Sequence, residues 1–79
     1  MANSPDKRSD RTRDPNYSII WFTEICMSNV MTLQTYIDDA ERAGDTQLLD
    51  FFLRAQAESS KGADQGKRLL AQRLAAAIR

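Results

Sequence analysis

Residues that are mostly apolar or small recur at intervals of three and four along two long segments of the chain. In the first segment the series is Ile19, Thr23, Cys26, Val30, Leu33, Ile37 and Ala40. In the second segment it is Leu49, Phe52, Gln56, Ser59, Ala63, Gly66 and Leu70. This spacing places each series along one side of an α-helix, where it can pack against a neighbour. Neither segment shows the alternation typical of a strand, so the pattern predicts an all-α fold.

Local signals set the ends of the two predicted helices. Asp14 is a suitable N-cap, and Pro15 is tolerated in the first helical turn. Gly44 suits the left-handed position after a helix, and Asp45 can cap the helix that follows. A connection this short makes the helices antiparallel neighbours, so we predict a two-helix hairpin. The predicted elements of this domain, residues 15–79, are a helix over about 15–42, a turn over 43–45 and a helix over about 46–77.

The second predicted helix contains two interior glycines, Gly62 and Gly66. Each costs about 1 kcal/mol of helix stability relative to alanine, so the chain needs a compensating gain. Folding the hairpin at its turn places large side chains of the first helix opposite small residues of the second. The predicted neighbours are Gly66 and Phe22, Gly62 and Cys26, Ser59 and Asn29, and Phe52 and Tyr36. We therefore expect the glycines to make room for bulky neighbours.

The N-terminal residues 1–14 differ in composition from the rest of the chain. Cations and aspartates nearly cancel there, and the only apolar residue after Ala2 is Pro5. A segment with so little apolar surface cannot offset the entropy lost on ordering. We therefore predict a disordered, charged arm over 1–14.

Composition excludes several classes of function. The 79 residues carry 11 Lys plus Arg and 11 Asp plus Glu, and this balance argues against nucleic-acid and membrane partners. The chain has no histidine, which removes the commonest general base and the commonest transition-metal ligand. Its single cysteine, Cys26, excludes an intrachain disulfide and suits a reducing compartment. We predict a cytoplasmic protein without a membrane span, and we favour a non-enzymatic one.

Two helices alone cannot enclose all the apolar residues of this sequence. The segment LLDFFL, Leu48 to Leu53, is apolar nearly all round, which is typical of a buried helix. We predict that a second copy covers this surface about a two-fold axis perpendicular to the helices, which exchanges the two ends of the hairpin. The product is a homodimer, or a higher oligomer, built as a four-helix bundle. The predicted dimer-interface residues are Ile20, Trp21, Met27, Met31, Phe51 and Leu53.

The carboxylates are the candidate metal ligands, and Glu24 and Glu58 are the two candidates inside the bundle. Bundle metal sites combine inward glutamates with Glu-x-x-His motifs, but here Lys61 stands where the histidine would be. Lysine at neutral pH has no free lone pair. Across the hairpin Glu24 lies nearer Asp64 than Glu58, so these two glutamates do not converge within one chain, whereas a dimer can bring Glu24 from both chains together. We predict no catalytic residues and no cofactor, and keep a carboxylate metal site between subunits as the alternative.

Charge is distributed unevenly between the predicted helices. The first is acidic and the second is basic, ending in KRLLAQRLAAAIR. Packing of complementary helices accounts for this split. A nucleic-acid or lipid adaptor that uses the arm and the basic C-terminus is a further alternative, which we do not favour. An unidentified protein partner is left open.

The string YIDDAERAGDTQLLDFFLRAQAESSKGADQGKRLLAQRL, Tyr36 to Leu74, resembles small bacterial proteins of the ferritin-like group, related to rubrerythrin-type bundles. The resemblance covers about half the chain and rests on an AGD turn followed by Leu and Phe-Phe. It implies a helical bundle, often dimeric, and in some members a di-iron carboxylate centre. The metal motif is degenerate here, since Ser28 to Thr35 contains no carboxylate and Glu58 lacks its histidine. The resemblance therefore implies a structural or interaction protein without a working di-iron site, and a ferroxidase-like protein that binds iron is the alternative.

Overall fold

The computed structural model describes residues 14–78, which form two long α-helices joined by a tight turn. Helix α1 spans Pro15–Ala43 and helix α2 spans Thr46–Ile78. The two helices pack along each other, and residues 14–78 contain no strand. The predicted all-α hairpin is thereby confirmed. The arm predicted over 1–14 lies outside the described residues, apart from Asp14.

The start of α1 follows from its capping residues. Asp14 has extended backbone angles, with φ −76° and ψ 115°, and its side chain accepts a hydrogen bond of 2.9 Å from the backbone N–H of Asn16. The backbone N–H of Tyr17 donates to the Asp14 carbonyl at 3.0 Å. Pro15 has no N–H to satisfy at the first helical position, where such a group would have no helical partner. The chain therefore begins its helix with its first donors satisfied.

The turn between the helices is a Schellman motif centred on Gly44. This glycine has φ 68° and ψ 22°, a left-handed conformation that is strained for residues with a Cβ. Its N–H donates to the Glu41 carbonyl at 3.1 Å, and the Asp45 N–H donates to the Ala40 carbonyl at 3.0 Å. The Asp45 carboxylate then accepts from the Leu48 N–H at 3.1 Å and caps α2. The chain thus reverses direction within two residues.

The seam between the helices consists of the two periodic series that the sequence predicts. Every member of both series is buried or half-buried. A polar member, Gln56, is accommodated because its side-chain amide donates to the Val30 carbonyl at 3.1 Å and to Gln34 Oε1 at 3.0 Å. The most buried positions are Thr23, Cys26, Ile37, Ala40, Ala63 and Gly66.

The contacts across the seam fix how the helices are aligned. A Cβ placed on Gly62 would lie 3.0 Å from Cys26 Sγ, and the rings of Tyr36 and Phe52 lie 5.3 Å apart, as predicted. Gly66 differs in detail, because the residue that faces it across the seam is Thr23. Phe22 precedes Thr23 by one position, which turns its side chain by about 100° around α1. It borders an apolar groove beside Gly66. The predicted neighbours Ser59 and Asn29 stay a prediction.

Candidate interface on an exposed apolar face

The hairpin leaves most of its large apolar side chains exposed. Phe22 is 54% exposed, Phe51 is 57% exposed and Met31 is 74% exposed. Within residues 14–78 no large side chain is completely buried. Scattered apolar residues are common on protein surfaces, but contiguous apolar patches mark sites of association. Whether these side chains can form an association site therefore depends on whether they lie together on one face of the hairpin.

One face of the hairpin collects apolar side chains from both helices. Residues seven positions apart lie on nearly the same side of a helix, because seven residues make almost two turns. On α1, Phe22, Asn29 and Tyr36 have this spacing, and on α2 a second row has it. The α2 row is Leu48, Ala55, Gly62 and Leu69. The large apolar residues of this surface, which we call the groove face, are Phe22, Ile25, Tyr36, Leu48, Phe51 and Leu69.

Side-chain contacts show that the two rows lie on the same side of the hairpin. A Cβ placed on Gly62 would lie 3.4 Å from the Phe22 ring, so the two rows meet at one end. At the other end, Tyr36 and Leu48 line one groove together. The groove face is therefore a single surface with a groove at each end.

The groove near the turn is bordered by aromatic side chains. It has a volume of about 390 Å³, and its lining residues are Tyr36, Asp39, Ala40, Ala43, Asp45, Leu48 and Phe52. The Phe52 ring also lies 5.5 Å from the Phe51 ring, in an edge-on arrangement. Such tilted contacts are favoured between aromatic rings. At this end of the groove face, aromatic rings therefore pack against one another and leave an apolar surface exposed to solvent.

The groove at the opposite end is shaped by glycine. It has a volume of about 290 Å³, and Phe22 and Leu69 border it beside Gly62 and Gly66. A Cβ on Gly66 would collide with Thr23 Oγ1 and lie 3.3 Å from Thr23 Cβ, so a side chain there would separate the helices. The glycines therefore serve two purposes, because they let the helices approach closely and leave an apolar groove beside Phe22.

Thr23 occupies an unusual position at the centre of this close approach. Its side chain is 7% exposed, and its hydroxyl has no hydrogen-bond partner among the described residues. A buried hydroxyl without a partner costs free energy, and here it faces the Gly66 backbone. The chain has no histidine, so the commonest general base is not available to make this hydroxyl a nucleophile. We interpret Thr23 as a packing residue that makes glycine necessary at position 66.

The predicted dimer-interface residues are divided between different sides of the hairpin. Phe51 belongs to the groove face, whereas Leu53 lies two positions, or about 200°, further round α2. The Trp21 ring lies 5.9 Å from the Tyr17 ring on the outer side of α1. The remaining predicted residues follow the flank of α1 opposite the groove face, and they are Ile20, Met27 and Met31. The sequence analysis missed Phe22, Ile25, Tyr36, Leu48 and Leu69 as one surface. The signal that could have found it is the seven-residue rows that hold Phe22 and Tyr36 on α1 and Leu48 and Leu69 on α2.

The candidate metal ligands are not brought together within one chain. Glu24 and Glu58 are both exposed, and Glu24 accepts a hydrogen bond of 2.8 Å from Ser28 Oγ. Helix positions place Glu24 on the flank beside Ile20 and Glu58 at the edge of the groove face. Among residues 14–78, no group of three or more Cys, Asp or Glu side chains is placed to hold a metal ion. The groove face therefore remains the surface from which a function can be argued.

Neither the ion pairs of the described residues nor comparison with known proteins indicates a ligand. Asp39 and Arg42 form an exposed ion pair, and so do Asp64 and Arg68 at 2.6 Å, which contribute little to stability in such positions. Neither helix of the described part of the chain has the length and hydropathy needed to cross a membrane. Comparison with models of protein families, with curated proteins and with solved structures finds no match to this chain.

Proposed function

We propose that the protein is a structural or interaction protein that works as a homo-oligomer, in which the hairpin pairs with a second copy to form a four-helix bundle. The observation that supports this proposal is the groove face, where six large apolar side chains from two helices are exposed together. A hairpin of two helices buries only its seam. Small domains without disulfides or a structural metal gain little stability from so small a core. A second copy completes the interior.

The size of the groove face suits a dimer. Half-exposed residues of this size leave roughly 100 Å² each to cover, so six of them give on the order of 600 Å² for each copy and 1,200 Å² for a pair. That total reaches the lower limit of stable protein interfaces. At about 25 cal/mol for each Å² of apolar surface removed from water, this area supplies a large gross driving force for association. Much of it is offset by the cost of ordering two molecules.

The bundle we propose is of the ferritin-like type and has no working di-iron site. The pattern of residues 36–74 supports this assignment. Glu58 and Lys61 are both exposed, and the lysine, which stands where the metal motif has histidine, has no free lone pair at neutral pH to offer a metal ion. A bundle with this arrangement presents its outer helix faces as an interaction surface. Its role is therefore assembly rather than iron oxidation.

Thermal unfolding at several protein concentrations tests the pairing. When folding is coupled to association, the unfolding midpoint rises with protein concentration. We expect the circular dichroism midpoint of the full chain to rise steadily over a hundredfold range of concentration. A midpoint that is the same at every concentration, with a cooperative transition, would show that the hairpin is stable alone and would overturn the proposal.

A further inference from the structure

We infer that the second copy binds on the groove face, about a two-fold axis that is perpendicular to the helices and passes beside Asn29. The inference rests on the pairing proposed above and adds which surface is used and how the two copies are aligned.

Both rows of the groove face are arranged symmetrically about a central point. On α1, Phe22 and Tyr36 lie seven residues on either side of Asn29. On α2, Leu48 and Leu69 are equally distant from the point between Glu58 and Ser59, and so are Ala55 and Gly62. A perpendicular two-fold axis exchanges the two ends of a helix, so it requires this kind of self-complementary spacing.

The two central points lie at the same level of the hairpin. Cys26 lies beside Gly62, and three residues along each helix from this contact lead to Asn29 and Ser59. Tyr36 stacks with Phe52, and seven residues along each helix from that contact lead to the same two positions. One axis therefore serves both helices. Two unrelated spacing patterns would have no reason to place their centres at the same level.

The axis brings suitable side chains together across the interface. Phe22 packs against the partner's Tyr36, so an aromatic pair forms at each end of α1. On α2, Leu48 meets the partner's Leu69. Between these large residues, Ala55 meets the partner's Gly62, and their small size lets the helices approach closely. The grooves at the two ends of the face are filled by the projecting side chains of the other copy.

The polar residues near the axis also fit this arrangement. Asn29 is exposed in the single chain, and its amide has both donors and an acceptor, so it can hydrogen-bond reciprocally with the partner's Asn29. A single asparagine at such a position fixes the alignment of paired helices. At the rim, Glu58 of each copy comes within reach of the partner's Lys61, and neither forms an ion pair within the described hairpin.

The opposite flank is a poorer candidate for the same role. Leu53 and Leu74 have the same spacing on that side of α2 as Leu48 and Leu69 on the groove face. Ser60 and Lys67 lie between those leucines, however, and on α1 Glu24 lies among the apolar residues of that flank. A two-fold pairing there would place like charges close together in the middle of the interface, which is unfavourable. On the groove face the charge nearest the axis is Glu58 at the rim, which comes within reach of the partner's Lys61.

Cysteine cross-linking tests the face and the axis. In a Cys26→Ala background, Asn29→Cys places a thiol beside the axis, and Met31→Cys places one on the opposite flank as the matched control. With a short bis-maleimide, we expect Asn29→Cys to form a covalent dimer at least tenfold faster than Met31→Cys. Faster cross-linking through Met31→Cys, in a protein that sediments as a dimer, overturns the inferred face and leaves the proposed pairing intact. A protein that sediments as a monomer overturns both.

A mixing experiment separates the perpendicular axis from other symmetries of the same face. Phe22→Cys and Tyr36→Cys proteins, each in the Cys26→Ala background, should cross-link after they are mixed and exchanged, and fivefold less when each is treated alone. Far-ultraviolet circular dichroism checks that both variants remain helical. Equal cross-linking of the separate and mixed proteins would contradict the perpendicular axis.

Discussion

Replacing Gly66 with leucine should unfold the hairpin at much lower denaturant concentration than the original chain, with a loss of about 3 kcal/mol in the free energy of unfolding. The reason is the closeness of α1 at this point. Even the Cβ of a new side chain would collide with Thr23 Oγ1 and lie 3.3 Å from Thr23 Cβ, which is tighter than an ordinary contact. Rotation of the threonine side chain relieves only the first contact, so the helices must move apart. Chemical denaturation followed by circular dichroism measures the loss.

The neighbouring exposed residue supplies the control for this variant. Gln65→Leu introduces the same side chain one position away, where the residue is exposed at the border of the groove rather than in the seam, so its free energy of unfolding should change by less than about 0.5 kcal/mol. A third variant, Gly66→Ala combined with Thr23→Ala, should recover most of the stability that Gly66→Ala alone loses. If Gly66→Leu is as stable as Gln65→Leu, the close approach of the helices at this point is wrong.

Replacing Leu69 with glutamate should separate the proposed dimer into single chains. Leu69 is 46% exposed in the hairpin and lies at an outer end of the groove face. A buried carboxylate without a partner is strongly disfavoured, and one such change for each copy acts twice in a symmetric dimer. We expect the dissociation constant to rise at least a hundredfold, which corresponds to about 2.7 kcal/mol. Sedimentation velocity at several concentrations measures it.

Leu74→Glu is the matched control for the association experiment. Leu74 is 44% exposed and lies on the same helix, but five positions, or about 140°, away from Leu69 around it. The two variants therefore make the same change at nearly equal exposure on different sides of α2. We expect the Leu74→Glu protein to remain dimeric. Dissociation by Leu74→Glu but not by Leu69→Glu would assign the interface to the flank of Met27 and Met31.

The sequence predicts the hairpin because its local signals agree with one another. Asp14 and Asp45 are caps in the structure, and Gly44 has the left-handed conformation that its place after a helix suggests. The spacing of apolar and small residues predicts the seam because both helices are long and regular, so the register stays the same from end to end. Gly62 and Cys26 are neighbours for the same reason.

The details that the sequence leaves open depend on rotation about the helix axis. Thr23, rather than Phe22, faces Gly66, because one position along a helix turns a side chain by about 100°. The same uncertainty divides the predicted interface residues between two flanks. Periodicity shows that apolar residues exceed what the seam can hold, but both flanks of α1 carry some of them. Contacts between the helices, such as that of Phe22 with Gly62, are needed to show that a row on α1 and a row on α2 share one face.

Sedimentation equilibrium of the full chain at micromolar concentration tests the central claim most directly, since it measures mass without reference to shape. We predict a species with twice the mass of the chain, which dissociates only on strong dilution or when Leu69 is replaced with glutamate. A folded species with the mass of one chain, at the highest concentrations tested, would contradict the claim that this hairpin completes its core with a second copy.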